Sequence, residues 1–323
     1  MEDQGPSEES PLDELDVKIL RALISESAIA QSNSMVTLSL RRIASRLGAD
    51  DMTVAKRFRK LQESGCMSHW QLMINPSFFG YGILDVVVRV QPESAKTDMI
   101  RKIRLIHGVF AIQNFHGNAL KILLLYDTEE SRSRAVELIS RITNADKATI
   151  SRMGMPRSGT QRLTGTDVAI IKSLSVDARK SSASVAKELG LSGRTVRNRV
   201  KRLRGDNTLF ALPNLNLDGI AGTIPVYLSY SYANEGAKSP VDRSMISHFD
   251  SNYLWGGFSD KEHGYVVLCV FRMADVQESF GWAREQPGVA AAEVDMLAEL
   301  VYFPRTFEEL LGTKRLEAEY PNP

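Results

Sequence analysis

Cysteine is nearly absent. Only Cys66 and Cys269 occur in 323 residues, and they stand far apart. This excludes a disulfide-stapled scaffold and any cysteine-based metal or redox spacing, and it fits a reducing compartment. No sign of charge dominates. The 40 Lys and Arg stand against 39 Asp and Glu, a formal net charge of +1. The chain is therefore not a bulk polycation, and any surface for a polyanion must come from local clustering. No apolar run approaches bilayer length, and the longest candidates, residues 122–125 and 265–271, suit strands. The N-terminal stretch is acidic and lacks an apolar core, so no secretory leader is expected and the expected location is the cytoplasm. His69, His107, His116, His248 and His263 are scattered. With no Gly-rich phosphate loop, metal-spaced cluster or nucleophile elbow, the expectation is no catalytic residues, no metal, no cofactor, and a protein that is not an enzyme.

What the sequence does carry is clearest at residues 181–204, SSASVAKELGLSGRTVRNRVKRLR. Ala186 and Leu189 give a first helix its inner face. Gly190-Leu191-Ser192 makes a tight turn, where Gly is free to take positive φ and Ser192 can cap the next helix. In that second helix Val196, Val200 and Leu203 recur at helical spacing and share one face. Arg194, Asn198 and Lys201 then point the opposite way, flanked by Arg197 and Arg202. This is a helix-turn-helix whose second helix suits a DNA major groove. Arg can grip guanine, Asn can grip adenine, and Lys and Arg can hold phosphates.

The chain repeats itself. Residues 12–23, LDELDVKILRAL, match 163–174, LTGTDVAIIKSL, with Asp13 answered by the capping Thr164 and Asp16 by Asp167. Residues 39–48 match 181–190, and residues 53–61 match 195–203. Gly65 and Asn207 close the second helix of each copy, both able to adopt the left-handed conformation. The first copy carries extra residues at 25–37, read as a helix end plus a loop. A wing follows each time, a small hairpin or strand at 66–74 and a strand at 209–212. Beyond each wing the pattern turns to β-α-β-β-α-β. In the first copy these elements are 83–90, 96–105, 109–115, 120–126, 128–142 and 148–153. In the second they are 224–232, 241–249, 253–258, 265–271, 274–285 and 290–301, with a short helix at 307–311. The fold class is α+β, with two copies of a winged helix-turn-helix followed by a ferredoxin-like βαββαβ sandwich. The expected domains are 12–75 and 76–155, a linker at 156–162, then 163–216 and 217–312. Residues 1–11 and 313–323 are tails.

The motifs L-D-x-x-D-x-x-I-L-x-x-L (12–23), S-x-x-x-I-A-x-x-L-G (39–48), T-V-x-x-R-x-x-x-L (53–61) and N-P-x-x-x-G (75–80) resemble those of the Lrp/AsnC (leucine-responsive/asparagine-regulator, feast/famine) transcription regulators, and residues 163–203 show most of the same pattern. The resemblance implies a sequence-specific regulator of double-stranded DNA whose sandwich mediates dimerisation and, as often in the family, senses amino acids. Family members carry one unit per chain, so two units imply an intramolecular pseudo-dimer, with homodimerisation or higher assembly through the sandwiches. The DNA-binding residues expected are Ser192, Arg194, Thr195, Arg197, Asn198, Lys201 and Arg202, with Thr53, Lys56, Arg59 and Lys60 in the first copy. Asp50 and Asp51 repel phosphate, so the second copy should dominate affinity. Arg57 and Arg199 lie nearer the apolar face and should pair with Asp16 and Asp167. A small-molecule effector site is placed at Asp260 and Glu262. Two other readings stay open. One is a haem-pathway (siroheme-type) decarboxylase, which resembles the same tandem architecture and would use His107 or His116 near Arg104. The other is a non-DNA partner-binding module.

Overall fold

The structure is a computed structural model that describes residues 12–29, 40–153, 157–159, 162–216, 222–257, 262–303, 309 and 312. Helices α1 (Glu14–Ile29), α2 (Leu40–Leu47) and α3 (Asp51–Glu63) lead into strand β1 (Met67–Ile74). Then come β2 (Gly82–Arg89), α4 (Lys96–Ile103), β3 (Val109–Phe115), β4 (Ala119–Tyr126), α5 (Glu129–Thr143) and β5 (Ala148–Met153). The second half runs through α6 (Gly165–Val176), α7 (Ser182–Leu189), α8 (Gly193–Gly205) and β6 (Leu209–Leu215). It ends with β7 (Ile224–Tyr232), α9 (Lys238–His248), β8 (Tyr253–Gly257), β9 (His263–Val270), α10 (Met273–Arg284) and β10 (Val289–Tyr302). The fold is α+β, as expected.

Local chemistry explains the helix starts. Asp13 accepts from the backbone N–H of Leu15 at 3.0 Å and of Asp16 at 3.2 Å. Thr164 and Asp167 form a reciprocal capping box, and Ser181 accepts from the Ser184 N–H. Each satisfies donors that a helix N-terminus leaves open. Asn207 and Gly65 do adopt the left-handed conformation, at φ 53° and 73°. Helix α1 continues to Ile29, while the rest of the 25–37 insertion and most of the 307–311 helix lie outside the described residues.

Each wing supplies one strand, and what the sequence does not indicate is their partner: the two strands pair antiparallel with each other, Gln71 opposite Leu212 and Met73 opposite Phe210. A lone strand satisfies its backbone groups only by finding a partner, and here the partner is the other wing. One contiguous apolar cluster takes in Leu20, Leu23, Ile43, Val54 and Leu61 of the first three-helix head, Ile170, Leu174, Val185, Val196 and Val200 of the second, and residues of the ribbon and sheet such as Trp70, Ala211 and Tyr227. Cys66 and Cys269 also enter it, and burial pushes both thiols up to about 12.

The remaining strands build one eight-stranded sheet of order β5-β2-β4-β3-β10-β7-β9-β8. Each half keeps the ferredoxin-like order internally. They join because β10 is 14 residues long: Met296 and earlier residues pair with β7, and Leu297–Tyr302 pair with β3. Pro225 sits in a central strand without breaking a rung to β10, because that ladder starts at Val226. Helices α4 and α5 cover the outer face of one half, and α9 and α10 that of the other.

The face away from these helices holds a cluster of buried polar groups, Asp85, Gln113, Lys121 and Asp295, among apolar side chains such as Phe115, Tyr227 and Tyr265, and the sheet curls around it. Strands β4 and β9 are four places apart, about 19 Å in a flat sheet. Yet Lys121 of β4 lies 3.8 Å from the centroid of the Tyr265 ring of β9. Lys121 is fully buried. It pairs with Asp85 at 2.8 Å and donates to the Tyr227 hydroxyl at 3.0 Å. Arg89 of β2 reaches across in the same way to Asp295 and Glu293 of β10, at 2.6 and 2.7 Å. Burial alone would lower the lysine's pKa, but the Asp85 carboxylate together with Tyr227 and Tyr265 outweighs it and holds the group above its ordinary range. A raised pKa means the charged pair persists below the ordinary lysine value and is lost only at alkaline pH. Lys121→Met should therefore destabilise the chain by about 3–5 kcal/mol at neutral pH, since it strands a buried carboxylate. The double change Lys121→Met/Asp85→Leu should regain most of that loss. Denaturant unfolding of the full chain checks both, and a single variant as stable as the parent contradicts the account.

Candidate nucleic-acid interface

Two helix-turn-helix pairs, α2–α3 and α7–α8, carry the candidate surface. In the second, Gly190 ends α7 at φ +64° and Ser192 starts α8, accepting from the Thr195 N–H at 3.0 Å. Val196, Val200 and Leu203 are buried, and Arg194, Arg197, Asn198 and Lys201 are exposed on the far side. In the first, Asp50 caps α3 through the Thr53 N–H at 3.0 Å. Val54, Phe58 and Leu61 are buried, while Met52, Thr53, Lys56 and Arg59 are exposed.

Behind each reading helix lies a fully buried carboxylate. Asp167 binds Arg199 at 2.9 Å and Arg202 at 2.6 Å, and it accepts from the Thr164 N–H and hydroxyl at 2.8 and 2.7 Å. Asp16 binds Arg57 at 2.9 Å and lies 3.6 Å from Lys60, and Asp13 holds Arg57 from the other side at 2.6 Å. The pairing of Arg57 and Arg199 is the expected one. Arg202 and Lys60, which the sequence places among the DNA contacts, are half-buried here and turned onto the acid behind the helix. Helical spacing explains this, since Arg199 and Arg202, three apart, share a flank that the outward stripe does not. Ser192, Thr195 and Thr53 are engaged in capping, with the Ser192 and Thr195 hydroxyls 2.8 Å apart. Arg197 also donates to the Ser182 hydroxyl at 3.3 Å.

The two faces differ in charge. On α8 the exposed face carries three cations, Arg194, Arg197 and Lys201, and no acid. On α3 the exposed cations Lys56 and Arg59 stand beside exposed Asp50 and Asp51. Asp51 in turn lies 3.6 Å from Arg41 of α2.

The other expected sites fare differently. Asp260 lies outside the described residues. Glu262 is exposed, and its carbonyl accepts from the Tyr232 N–H at 2.9 Å. His107 and His116 flank β3 at opposite ends and are both exposed, with the strand, roughly 20 Å long at the usual rise, between them. Arg104 stacks on the Phe303 ring at 5.5 Å. The two histidines therefore do not share one pocket. What sequence reasoning missed is the polar interior of the sheet. Beside the Lys121–Asp85 pair a cavity of about 150 Å³ is lined by Asp85, Ser151, Ser229, His263 and Glu293 among others. This is below the roughly 300–1,000 Å³ of pockets for drug-sized ligands. Its sequence signal is a lysine and an aspartate inside otherwise apolar strands.

Geometry of this kind defines a chain with helix-turn-helix heads on an α+β sheet. Residues 163–204 match the AsnC-type helix-turn-helix domain. The chain is similar to the HTH-type transcriptional regulator Ptr1 of Methanocaldococcus jannaschii, 26% identical over 137 residues, which are 42% of this chain and 86% of Ptr1. It is also similar to the HTH-type transcriptional regulator FL11 of Pyrococcus horikoshii, 32% identical over 78 residues, 24% of this chain and 46% of FL11. Among solved structures, the siroheme decarboxylase NirDL shares the fold over 95% of this chain and 99% of its own, with a TM-score of 0.54 and 14% identity. That likeness corrects one expectation. An enzyme shares the whole-chain architecture, so the exclusion of catalysis drawn from scattered histidines does not stand. No described helix is long and apolar enough to cross a membrane.

Asp167 supplies a direct test of the clamp. Burial raises its pKa, but the Thr164 and Arg199/Arg202 hydrogen bonds outweigh burial and hold the carboxyl below the ordinary aspartate value. Its stabilisation is thus complete above that value and lost as pH falls through the lower, folded one. Asp167→Asn should cost about 2–3 kcal/mol at pH 7. The variant should also lose part of the parent's acid-limb stability change below about pH 4. Unfolding midpoints measured from about pH 2 to 7, a range spanning the carboxylate titration, check this. Parallel profiles for the two proteins contradict it.

Proposed function

We propose that the chain is a sequence-specific, double-stranded-DNA-binding transcription regulator, a tandem duplication of one Lrp/AsnC-type unit that acts as an intramolecular pseudo-dimer. The observation that carries this reading is the outward face of α8. Arg194, Arg197, Asn198 and Lys201 are exposed together while neighbouring Arg199 and Arg202 are withdrawn onto Asp167. A solvated surface needs no such sorting, whereas a groove-reading helix needs base-contacting and phosphate-contacting groups presented at once. The β1–β6 ribbon fixes the two heads to each other, as two half-site readers require. The AsnC-type match over 163–204 and the similarity to Ptr1 and FL11 support the same reading. Further assembly is proposed through the sandwich halves, where β5 forms one edge of the sheet. The second head dominates affinity, because its face carries no carboxylate to repel phosphate.

A salt series with genomic duplex fragments tests this. Binding should weaken steeply with salt, and Arg194→Ala/Lys201→Ala should lower both affinity and the salt slope, the slope by about one for each phosphate no longer neutralised. Lys56→Ala/Arg59→Ala should lower them less. No retained duplex at low salt contradicts the function, and the reverse ranking of the two pairs contradicts the dominance of the second head.

A further inference from the structure

The two reading helices stand on the same frame but show different chemistry at equivalent places. Superposing the helix caps sets Asp50 on Ser192. The buried Val54, Phe58 and Leu61 then fall on Val196, Val200 and Leu203, and Arg57 on Arg199, each bound to its buried acid. That register sets Met52 on Arg194, Lys56 on Asn198 and Arg59 on Lys201. Met52 is 80% exposed, among the most exposed large apolar side chains described. It stands in the first turn of the reading helix, the part that contacts base edges in helix-turn-helix docking.

A thioether has no hydrogen to donate, so Met52 cannot satisfy the O6 and N7 acceptors of guanine as Arg194 can. In the major groove the one apolar feature of a base pair is the thymine methyl group. Covering that methyl would give Met52 a contact that water does not. We propose that the two heads read unlike half-sites, with Met52 reading thymine at the position where Arg194, on the other head, reads guanine. Lys56 facing the place of Asn198 adds a second difference, since Lys favours guanine acceptors and Asn an adenine edge. The operator is therefore asymmetric although the two heads share one helix-turn-helix layout and are joined through the antiparallel β1–β6 ribbon. This inference rests on the DNA-binding reading above.

The test selects duplexes of about 30 base pairs, long enough for two half-sites near one helical turn apart, with the full chain. The selected thymine is then replaced by deoxyuridine, which lacks only the methyl group. The expected result is an asymmetric operator, and about fourfold weaker binding on replacement, the weight of one buried methyl-sized group. Met52→Ala should be indifferent to that replacement. Met52→Arg should select two similar half-sites with guanine in both. Both are surface changes, so circular dichroism of each variant should match the parent. A palindromic operator from the parent chain, or deoxyuridine without effect on it, overturns the proposal while leaving DNA binding intact. Failure to select any duplex overturns the DNA-binding reading itself, and this proposal with it.

Discussion

A carboxylate without solvent exposure behind each reading helix decides which cations face outward. Asp167 could not remain charged there alone. Hydrogen bonds from Thr164, Arg199 and Arg202 make it stable, and in return they take two arginines out of the outward set. Asp16 does the same with Arg57 and Lys60. The remaining cations face solvent because the inner ones are held. The helix is also held in rotation about its axis, because its flank is pinned by ion pairs and its inner face by Val196, Val200 and Leu203. A fixed rotation is what converts exposed side chains into a reading edge.

Covalent linkage of the halves changes the energetics of the frame. A homodimer would form the β1–β6 ribbon and the β3–β10 ladder at a cost in translational and rotational freedom. Here the chain has already brought both pairs together, so even the short ribbon is an internal contact. Head and sheet are not independent bodies. Arg21 of α1 donates to the Asp250 carbonyl oxygen at 2.9 Å and to its carboxylate, and its guanidinium lies 5.1 Å from the centroid of the Tyr253 ring. The first head is thereby seated on the edge strand of the second half.

Much of the local architecture is legible in the sequence because its causes are local. Asp13, Thr164, Ser181 and Ser192 announce helix starts through groups a few residues away. The periodicity of Val196, Val200 and Leu203 fixes which face is buried. Even the Arg57–Asp16 and Arg199–Asp167 pairs can be anticipated, since those arginines lie off the polar stripe. Arg202 and Lys60 are harder, because a residue at the margin of a stripe can turn either way and only the position of the buried acid decides. The least legible parts are contacts between distant strands. Lys121 meets a tyrosine 106 residues on, and no period or spacing specifies that partner. Pairing of one wing with the other, and the extension of β10 onto β3, depend likewise on how the halves meet.

Lysine labelling read by mass spectrometry tests the central claim most directly. Lys201 on the outward face and Lys60 held by Asp16 would be followed with and without a saturating selected duplex. The account predicts strong protection of Lys201 by DNA and little change at Lys60. Unchanged labelling of Lys201 in the presence of bound duplex would contradict it, because the face of α8 would then not be the surface that meets DNA.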